Sequence, residues 1–589
     1  MYEISRLVLP SSNFIEYSKL FVRKDIKECF MHGQLANVNI YKFNTWMNLL
    51  AAKKYYFYCD LGDIYLKLNI DGNYKLQVIG SNRNAAFDRI DNILIDIDCI
   101  NDCCIKIPNA QNYEGIYYTI IEDIKKPIKL KSGAWCTDKS PQRENKLAII
   151  SCTYKREDYI YKNIEIFENY IKENPTLKEK IKFFIVDNGK TLDTTKNNSN
   201  VKIIPNMNAG GAGGFTRGLI DIIENNQSFT RVLFMDDDVE IFPESFYRTL
   251  IFSNYLKVSF KDSFINGAML DLYKRSVFFE NLAIQKDLWV EAYHGTQELK
   301  YNNILTINDI PAEVFENENR KVDSAWWFHC FDISTVEKNG LPCPFFFRGD
   351  DVEWGWRNFG KHHISLNGIC VWHSPFMYRV SKVADYYYLP RNMFFLNSLY
   401  TKDFKKTHKK LLEKILVRLL KTYDYNSLEI FIHALKDILK GSSVFEENPE
   451  KQFVNVNTIA QKTQWVECKN WTELTHIKAI DMNRKKRKNF IINIIRNCFK
   501  LMKKQSFALD WYPPVHRFKH VREVKVYNLL FHKYEIRKFD SKKIKHYSKE
   551  GYKLINKISK DYDKLHDDFV NAHNEFTKLE FWKKYLDMA

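Results

Sequence analysis

Several markers of zinc-binding, secreted and membrane-spanning proteins are missing from this chain of 589 residues. Its twelve cysteines form no CxxC pair and no Cys/His ligand spacing, so we expect reduced thiols in the cytoplasm rather than a zinc module. Residues 1–6 (MYEISR) lack the basic start and apolar run of a signal peptide. No uninterrupted apolar stretch reaches the length of a membrane span. We therefore expect a cytoplasmic protein that is soluble or peripheral on the inner face of the membrane.

Two common phosphate-binding patterns are also absent, although residues 206–218 (NMNAGGAGGFTRG) are rich in glycine. The GxGxxG fingerprint fails because Thr216 stands where its third glycine is needed, and no Lys-Ser/Thr pair follows to complete a P-loop. Glycine still lets a backbone approach a ligand closely, so a sharp loop that leads into a helix can serve a pyrophosphate or a sugar. A tight structural turn is the alternative.

The positive charge of the chain is concentrated in one segment. The formal net charge is +17, and residues 481–560 alone carry 23 Lys and Arg against 6 Asp and Glu. This distribution indicates a localised anionic partner. Residues 483–504 alternate cationic clusters with apolar stretches at helical spacing, which favours an anionic membrane surface. A solvated helical face is the alternative, and nucleic acid is not expected because no recognised module accompanies the basic residues.

The first 140 residues have the pattern of an antiparallel β domain, which we predict to be a sandwich. Segments 53–59, 65–70 and 74–79 are strand-like. Asp71-Gly-Asn joins the last two segments and is typical of a hairpin turn.

From residue 141 the pattern becomes that of a parallel α/β protein. Helical stretches near 161–172 and after Phe215 alternate with apolar strands at 147–152, 183–187, 201–204 and 231–235. Strands buried on both faces indicate a parallel sheet, in which ligands bind beyond the carboxyl ends of the strands. We assign residues 141–385 to this domain. Residues 386–589 are assigned to a helical, Lys-rich domain, with helices predicted at 411–421, 428–439, 490–502 and 552–568.

The stretch RVLFMDDDVE, residues 231–240, leads a buried strand into three consecutive carboxylates. Like charges repel, so the cluster lowers stability unless a positive charge lies among them. In an extended chain Asp236 and Asp238 point to one side while Asp237 points to the other. Carboxylate oxygens suit Mg²⁺ or Mn²⁺. The alternative is a solvated turn in which an Asp caps the next helix, but the position after a buried strand favours a metal.

Asp350 and Asp351 open a predicted helix after the aromatic run at 345–347. N-capping is the structural interpretation of these residues. The functional interpretation makes one of them a general base toward an acceptor hydroxyl, with the aromatic run raising its pKa. One aspartate can cap while the other acts, so the two interpretations do not exclude each other.

Two aromatic segments supply the remaining candidates. A lone His beside a Trp is usually structural, but His373, in VWHSPF, is a candidate metal ligand because neutral imidazole binds Mn²⁺ well and the carboxylate cluster still lacks partners. Trp326 and Trp327 stand together, and core packing competes with sugar stacking as their role.

These segments, in this order, resemble the galactofuranosyltransferases of the GT-A class in family 2, the polymerising enzymes of cell-wall galactan. The ordered set spans residues 146–391 and includes the basic loop at 151–156, Asp187-Asn-Gly, the glycine-rich segment and the acidic and Trp motifs above. The resemblance implies a GT-A α/β core, the fold of nucleotide-diphospho-sugar transferases, with an N-terminal β-sandwich domain and a C-terminal helical domain.

The resemblance also implies catalytic and metal-binding roles for the matching residues. Asp236, Asp238 and His373 would hold Mn²⁺ or Mg²⁺ on the diphosphate of the donor. Asp351 would be the catalytic base, with Asp350 beside it positioning the substrate.

Substrate-binding roles follow from the same resemblance. The implied donor and nucleotide residues are Thr153, Arg156, Asp187, Asn208, Gly210, Gly211 and Asp237. The implied acceptor residues are Trp326, Trp327 and Glu280, the last in a stretch whose flanking residues depart from the family.

The implied reaction is the inverting transfer of galactofuranose from UDP-galactofuranose onto a glycan or polyprenyl-diphosphate-linked acceptor in cell-surface polysaccharide synthesis. Transfer of a rhamnosyl or other hexosyl group from a dTDP- or UDP-sugar is the alternative donor chemistry. A non-catalytic carbohydrate-binding or scaffold protein is the alternative of another class, but it leaves the joint presence of metal carboxylates and a base unexplained. The acceptor, the linkage and the oligomeric state, including a homo-oligomer, stay open.

Overall fold

The computed structural model describes residues 1–10, 19–31, 34–84, 86, 88–225, 228–308, 321–358, 360–376, 381–468, 503–509, 513–528 and 531–588. The chain divides into two compact units. The first unit comprises Met1–Asn208, Gly213–Pro342 and Asp351–Ser374. The second unit comprises Ala209–Ala212, Cys343–Asp350 and Pro375–Ala589. The three-domain division at residues 140 and 385 stays a prediction.

Nine strands and one short helix open the first unit. They are β1 Tyr2–Arg6, β2 Arg23–Met31, β3 Gln34–Lys42, α1 Ala52–Tyr58, β4 Ile64–Asp71, β5 Asn73–Arg83, β6 Arg89–Ile100, β7 Cys103–Lys106, β8 Gly115–Asp123 and β9 Lys129–Thr137. The strands form two antiparallel sheets, in the orders β1-β9-β4-β7 and β2-β3-β8-β5-β6. Buried and less buried residues alternate along β4, as expected for a strand with one face in the core.

An aromatic contact joins these two sheets. Tyr118 of the five-stranded sheet packs edge-on against Trp135 of the four-stranded sheet, with ring centroids 5.8 Å apart. Both rings are buried. Edge-to-face pairs of this kind add to the stability that burial of the ring area already provides.

Two predictions for this region were wrong. The segment 53–59 is not a strand but forms helix α1, because Ala52, Tyr55 and Tyr58 are buried at the three-residue spacing of a helix. Asp71-Gly-Asn is not a hairpin turn, since the strands it joins, β4 and β5, belong to different sheets. Gly72, with φ of +114°, allows the chain to change sheets at this point.

The parallel pairing predicted for the strands at 147–152, 183–187, 201–204 and 231–235 is confirmed, but these strands are one part of a mixed sheet whose other strands also pair antiparallel. The elements of this part are β10 Leu147–Thr153, α2 Glu157–Glu173, β11 Ile181–Asp187, β12 Val201–Pro205, α3 Gly210–Glu224, β13 Arg231–Asp236 and α4 Glu244–Tyr255. Strand β10 pairs in parallel with β11 and β13, and β11 pairs in parallel with β12. Residues on both faces of β10 and β11 are buried, which explains their continuous apolar sequence.

The remaining elements of this region extend the sheet or pack beside it. They are β14 Phe264–Asp271, β15 Val277–Glu280, β16 Ala283–Lys286, β17 Trp289–Ala292, β18 Gln297–Glu298, α5 Ile304–Asn308, β19 Val322–Asp323, β20 His329–Asp332, α6 Ser334–Asn339, α7 Asp350–Arg357 and β21 His363–His373. The large sheet runs β12-β11-β10-β13-β20-β14-β15-β18, with β21 paired in parallel to β14. Strands β16, β17 and β19 form a small separate sheet.

The second unit is mainly helical, as predicted. Its elements are a π-helix at Ala384–Tyr388, α8 Leu389–Tyr400, α9 Lys405–Lys421, α10 Tyr425–Ile438, α11 Pro449–Gln461, β22 Trp465–Glu467, β23 Lys503–Leu509, β24 Val521–Asn528, β25 Lys533–Lys538, α12 Ser541–Lys560, α13 Tyr562–Phe576 and α14 Leu579–Tyr585. The sheet β22-β25-β24-β23 was not predicted. The predicted helix at 552–568 is broken at Asp561, and the one at 490–502 lies outside the described residues.

No helix in the described parts of the chain is long and apolar enough to cross a membrane.

Candidate active site

Polar side chains meet at one edge of the parallel sheet because neighbouring strands end in register. Thr153 at the end of β10 is opposite Asp187 at the end of β11. Cys152 of β10 is opposite Asp236, the last residue of β13. Thr153, Asp187 and the triple aspartate therefore lie along the same carboxyl edge, as the sequence predicts.

A second strand brings His373 to this edge. Strand β21 ends at His373 and runs parallel to β14, with His373 opposite Asp271. Two residues after the triple aspartate, Glu240 exchanges two backbone hydrogen bonds with Trp372, at 2.8 and 3.1 Å. The side chain of Glu240 forms an ion pair with Arg275, which secures this bridge further. The bridge places His373 beside Asp238.

The resulting group has the composition of a metal site. One ligand atom each of Asp236, Asp238 and His373 can be chosen so that all lie within 4.8 Å of one another. Nε2 of His373 is 3.1 Å from Oδ1 of Asp238, and both side chains are buried. Two carboxylate oxygens and one imidazole nitrogen form a donor set that Mn²⁺ or Mg²⁺ accepts. The three predicted ligands are therefore brought together, as the metal hypothesis requires.

Arg156 supplies a positive charge to the aspartates. Its guanidinium donates to Oδ1 of Asp237 at 3.0 Å and also contacts Oδ2 of Asp238. Burial, and next the charge of Asp238, raises the pKa of Asp236 above its usual range. Burial also raises the pKa of Asp237, against the lowering effect of Arg156. The cluster is thus short of positive charge even with one guanidinium present, which is what a divalent cation would correct.

Asp187 has a role in building the adjoining loop. One of its carboxylate oxygens accepts from the amide of Gly189 at 2.9 Å, and the other accepts from Thr191 and Leu192 at 2.6 and 2.7 Å. Both oxygens are therefore engaged by backbone amides, and the residue is buried. A contact with a nucleotide stays a prediction.

The glycine-rich segment is a short loop at 206–209 that leads into a helix, and its glycines lie in the helix rather than in the loop. Helix α3 begins at Gly210, whose φ is +71°. A Cβ on Gly214 would lie 2.0 Å from Sγ of Cys152, and one on Gly218 would lie 2.6 Å from a methyl carbon of Ile150. These glycines allow α3 to pack directly on β10. The sequence alone could not distinguish this close packing from ligand approach.

Within the second unit, Gly210 lies against the segment before α7. A Cβ on Gly210 would lie 2.1 Å from the carbonyl oxygen of Phe346. The amide of Gly211 donates to that same oxygen at 3.0 Å. Both glycines thus have a structural contact. Binding of the donor by Gly210, Gly211 and the buried Asn208 stays a prediction.

Three acidic side chains of the first unit influence one another near the start of α7. Burial, and next the charge of Asp351, raises the pKa of Glu280 to about 7. Burial, followed by the charges of Asp351 and Glu280, raises the pKa of Asp323 well above its usual range. The predicted base Asp351 and the predicted acceptor residue Glu280 are therefore close enough to interact. Asp323 was not identified from the sequence, because a single Asp before SAWW carries no pattern.

The Trp pair belongs to the core of the first unit. Trp326 packs edge-on against Phe215 and Phe234, with centroid distances of 5.2 and 4.9 Å, and is 4% exposed. The indole nitrogen of Trp327 donates to the carbonyl of Gly267 at 3.0 Å. These contacts match the core-packing alternative, and stacking on an acceptor sugar stays a prediction.

Comparison with known proteins gives two curated relatives. The chain is 28% identical over 174 residues to galactofuranosyltransferase GlfT2 of Mycolicibacterium smegmatis, which is 28% of this chain and 26% of that protein. It is 27% identical over 184 residues to galactofuranosyltransferase GlfT2 of Mycobacterium tuberculosis, covering 30% and 28% respectively. The matched part thus spans little more than a quarter of each relative.

Other comparisons add little. No family model matches the chain. A crystal structure of the Clostridium thermocellum xylanase 10B modules covers 32% of this chain and 38% of its own, at 9% identity and a TM-score of 0.14, which is too low to support any argument. The resemblance to galactofuranosyltransferases expected from the motifs is therefore confirmed by two curated relatives, over about three tenths of the chain.

Proposed function

We propose that this protein is an inverting, metal-dependent glycosyltransferase that moves galactofuranose from UDP-galactofuranose onto a glycan or lipid-linked acceptor. The observation that carries the proposal is the group formed by Asp236, Asp238 and His373 at the carboxyl edge of a parallel sheet. The similarity to two galactofuranosyltransferases supports the choice of donor.

The metal in this proposal is Mn²⁺ or Mg²⁺, held by Asp236, Asp238 and His373. When bound, it would neutralise the charge that develops on the departing diphosphate. The residues present fit such an ion because they offer oxygen and imidazole donors beside three carboxylates that share a single guanidinium, that of Arg156. Arg156 already contacts Asp237 and Asp238, so it holds the carboxylates together before the ion arrives.

Asp351 is the proposed general base. It removes the proton from the acceptor hydroxyl while that oxygen attacks the anomeric carbon from the face opposite the diphosphate. The new glycosidic bond forms as the bond to the diphosphate oxygen breaks, so the configuration is inverted. Glu280, whose pKa is raised to about 7, lies close enough to Asp351 to sense its charge and contributes to the acceptor side.

The acceptor is proposed to be reached at an anionic membrane surface, and a basic strip in the second unit supports this. A shallow groove is lined by Glu413, Val515, Tyr552 and four basic side chains. The four basic residues all belong to helix α9 and are Lys410, Lys414, Arg418 and Lys421. Residues spaced by four lie on one face of a helix. The predicted membrane segment 483–504 lies outside the described residues except for its last two positions.

Vesicle co-sedimentation tests this surface in the full chain. Lys410→Glu combined with Lys414→Glu should reduce binding to vesicles containing phosphatidylglycerol, because it reverses two charges of the strip. Lys172→Glu with Lys178→Glu, an equal charge change at two exposed positions of the first unit, is the control. Equal loss in both pairs would show that only net charge matters.

Calorimetric titration with UDP, dTDP and GDP, each with and without Mn²⁺, tests the central proposal. We expect Mn²⁺-dependent binding of UDP that is lost in Asp238→Asn, together with transfer of galactofuranose from UDP-galactofuranose to an oligosaccharide acceptor. A preference for dTDP would keep the chemistry and change the donor to a rhamnosyl type. Absence of nucleotide binding would overturn the transferase and favour a carbohydrate-binding protein.

A further inference from the structure

The turn that precedes helix α7 has an unusual backbone. Arg348 has φ of +64°, and Gly349, the next residue, has φ of +93°. The left-handed region is unfavourable for a long side chain such as Arg, and it persists in a fold when surrounding contacts hold it. Helix α7 then starts at Asp350 and continues through Asp351. The backbone geometry of this turn therefore determines how the helix begins.

One buried amide side chain holds the turn. Nδ2 of Asn392, on helix α8, donates to the carbonyl oxygens of Phe347 and Arg348, both at 2.9 Å. Its Oδ1 accepts from Nε of Arg391 at 2.9 Å, and Asn392 is fully buried. The two hydrogen bonds are part-buried, and it is the amide of Asn392 that is fully buried, so this amide would be left without acceptors if the turn moved, which is destabilising.

An ion pair fixes the side chain of the strained residue. The guanidinium of Arg348 donates to Oδ1 of Asp385 at 2.9 Å. Burial raises the pKa of Asp385, while Arg348 acts in the opposite direction. Asp385 lies in the π-helix Ala384–Tyr388, which runs directly into α8. π-Helices are rare and occur frequently at functional sites.

The aromatic residue Phe346, before the turn, packs on the π-helix and on helix α11. The ring of Phe346 is stacked with those of Tyr388 and Phe453, with centroid distances of 5.0 and 5.2 Å and interplanar angles of 9° and 15°. The carbonyl oxygen of Phe346 accepts from Gly211 at 3.0 Å. Side chain and backbone of Phe346 are thus both held, so the turn is fixed from its first residue onward.

Taking the proposed transferase function as its basis, we propose that Asn392, Asp385 and Arg348 are positioning residues for Asp350 and Asp351. They hold the turn 346–349 in a conformation that it does not adopt unaided, and this sets the start of the helix that carries the two aspartates. They touch neither donor nor acceptor. Their loss therefore lowers the rate of the chemical step rather than the affinity for nucleotide, because a small misplacement of a base is costly.

Two measurements on the full chain test this proposal, with Asn392→Asp as the variant and Asn397→Asp as the matched control. Asn397 lies on the same helix, is equally buried, and donates to the carbonyl of Met393 within its own helix. The first measurement is hydrogen exchange of the backbone amides of residues 346–351. The second is kcat for sugar transfer, with UDP affinity measured in parallel.

We expect Asn392→Asp to accelerate exchange in 346–351 by about tenfold. We also expect kcat to fall roughly 10- to 100-fold, with UDP affinity within about twofold of wild type. Asn397→Asp should leave exchange in this segment and kcat unchanged. Unchanged exchange in Asn392→Asp, or equal kcat losses in both variants, would overturn the proposal.

The ion pair gives a second variant in case Asn392→Asp does not fold. Asp385→Asn keeps the shape of the side chain and removes the charge that faces Arg348, so kcat should fall about tenfold. The double variant Asp385→Asn/Arg348→Gln should have a kcat no lower than that of the more impaired single variant, because both substitutions break the same ion pair. Additive losses would contradict a shared role. A wild-type protein that transfers no sugar would refute the proposed function, whereas the exchange comparison would still decide whether Asn392 holds the turn.

Discussion

Nε2 of His373 lies 3.1 Å from Oδ1 of Asp238, although His373 ends strand β21 and Asp238 lies in the turn after β13, far away in the sequence. The backbone bridge between Glu240 and Trp372 supports this contact, because Trp372 directly precedes His373 and Glu240 lies two residues after Asp238. The candidate metal site is therefore a product of the sheet topology. Changes in either side chain should affect metal binding without disturbing the parallel strands.

Asp238→Asn and His373→Ala should each weaken Mn²⁺-dependent binding of UDP roughly 10- to 100-fold, because each removes one of three donor groups. Calorimetry at fixed Mn²⁺ concentration measures the effect. Asp221→Asn is the control, since Asp221 is a buried acid that forms an ion pair with Lys202 outside the ligand group. Undiminished affinity in both ligand variants would remove the metal hypothesis.

Asp351→Asn should lower kcat by roughly 10²- to 10⁴-fold while UDP affinity stays within about twofold, because the amide cannot accept the hydroxyl proton. A single-turnover transfer assay beside a UDP titration separates the two effects. Asp350→Asn provides the comparison, since its predicted role is positioning and its loss should be smaller. A larger loss in Asp350→Asn would exchange the two roles.

The raised pKa of Glu280 predicts a dependence of stability on pH. Its pKa rises from 4.5 to about 7 on folding, mainly through burial and next through the charge of Asp351. The protonated form is favoured in the fold, so the stabilisation is fully present below about pH 4.5 and is lost as pH rises through about 7. The Glu280→Gln variant has no group that titrates at this position and therefore serves as the reference. The difference in unfolding free energy, wild type minus variant, should fall by roughly 1–3 kcal/mol between about pH 5 and pH 8.

Urea unfolding at several pH values measures this difference. Asp351→Asn is a useful background, because removing the neighbouring negative charge should lower the pKa of Glu280 and move the transition to lower pH. A difference that does not change with pH would show that Glu280 is solvated in the folded protein.

Gly210→Ala should destabilise the protein by more than the strain of its backbone conformation alone. The φ of +71° disfavours any Cβ, and that Cβ would also meet the carbonyl oxygen of Phe346 at 2.1 Å. Gly360→Ala is the matched control, since Gly360 has φ of +97° and no atom within 4 Å of its Cβ position. We expect Gly360→Ala to cost about 1 kcal/mol and Gly210→Ala at least about 2 kcal/mol in thermal unfolding. Equal losses would mean that the contact with Phe346 yields easily.

The sequence predicts the sheet edge well because the signals involved are local. Each of the strands β10 to β13 is a short apolar run, and each candidate at its carboxyl end follows within a few residues. The parallel order follows from the alternation of strands and helices. The chemistry of imidazole made His373 a candidate ligand, but its place beside the aspartates could not be derived locally, because the pairing of β21 with β14 is a long-range contact.

Other elements were missed because their signals are weak or ambiguous. Seven residues at 52–58 satisfy both a strand and a helix pattern, and burial of Tyr55 and Tyr58 decides between them. In the sheet of the second unit, the three-residue strand β22 pairs with β25, which is distant in the sequence. No local pattern therefore predicts this sheet. The contacts of Arg156 with two aspartates likewise require the folded positions of β10 and β13.

The close packing of α3 on β10 has a consequence for how the chain tolerates change. Gly214 and Gly218 face Cys152 and Ile150 with no room for a side chain, whereas Arg217 between them reaches the surface side of the helix. In a saturation library of this helix, the two glycines should be depleted of every substitution while position 217 accepts many. Such a result would show that the glycines are required because the backbones of α3 and β10 lie close together. Their invariance in the library would then not indicate contact with a ligand.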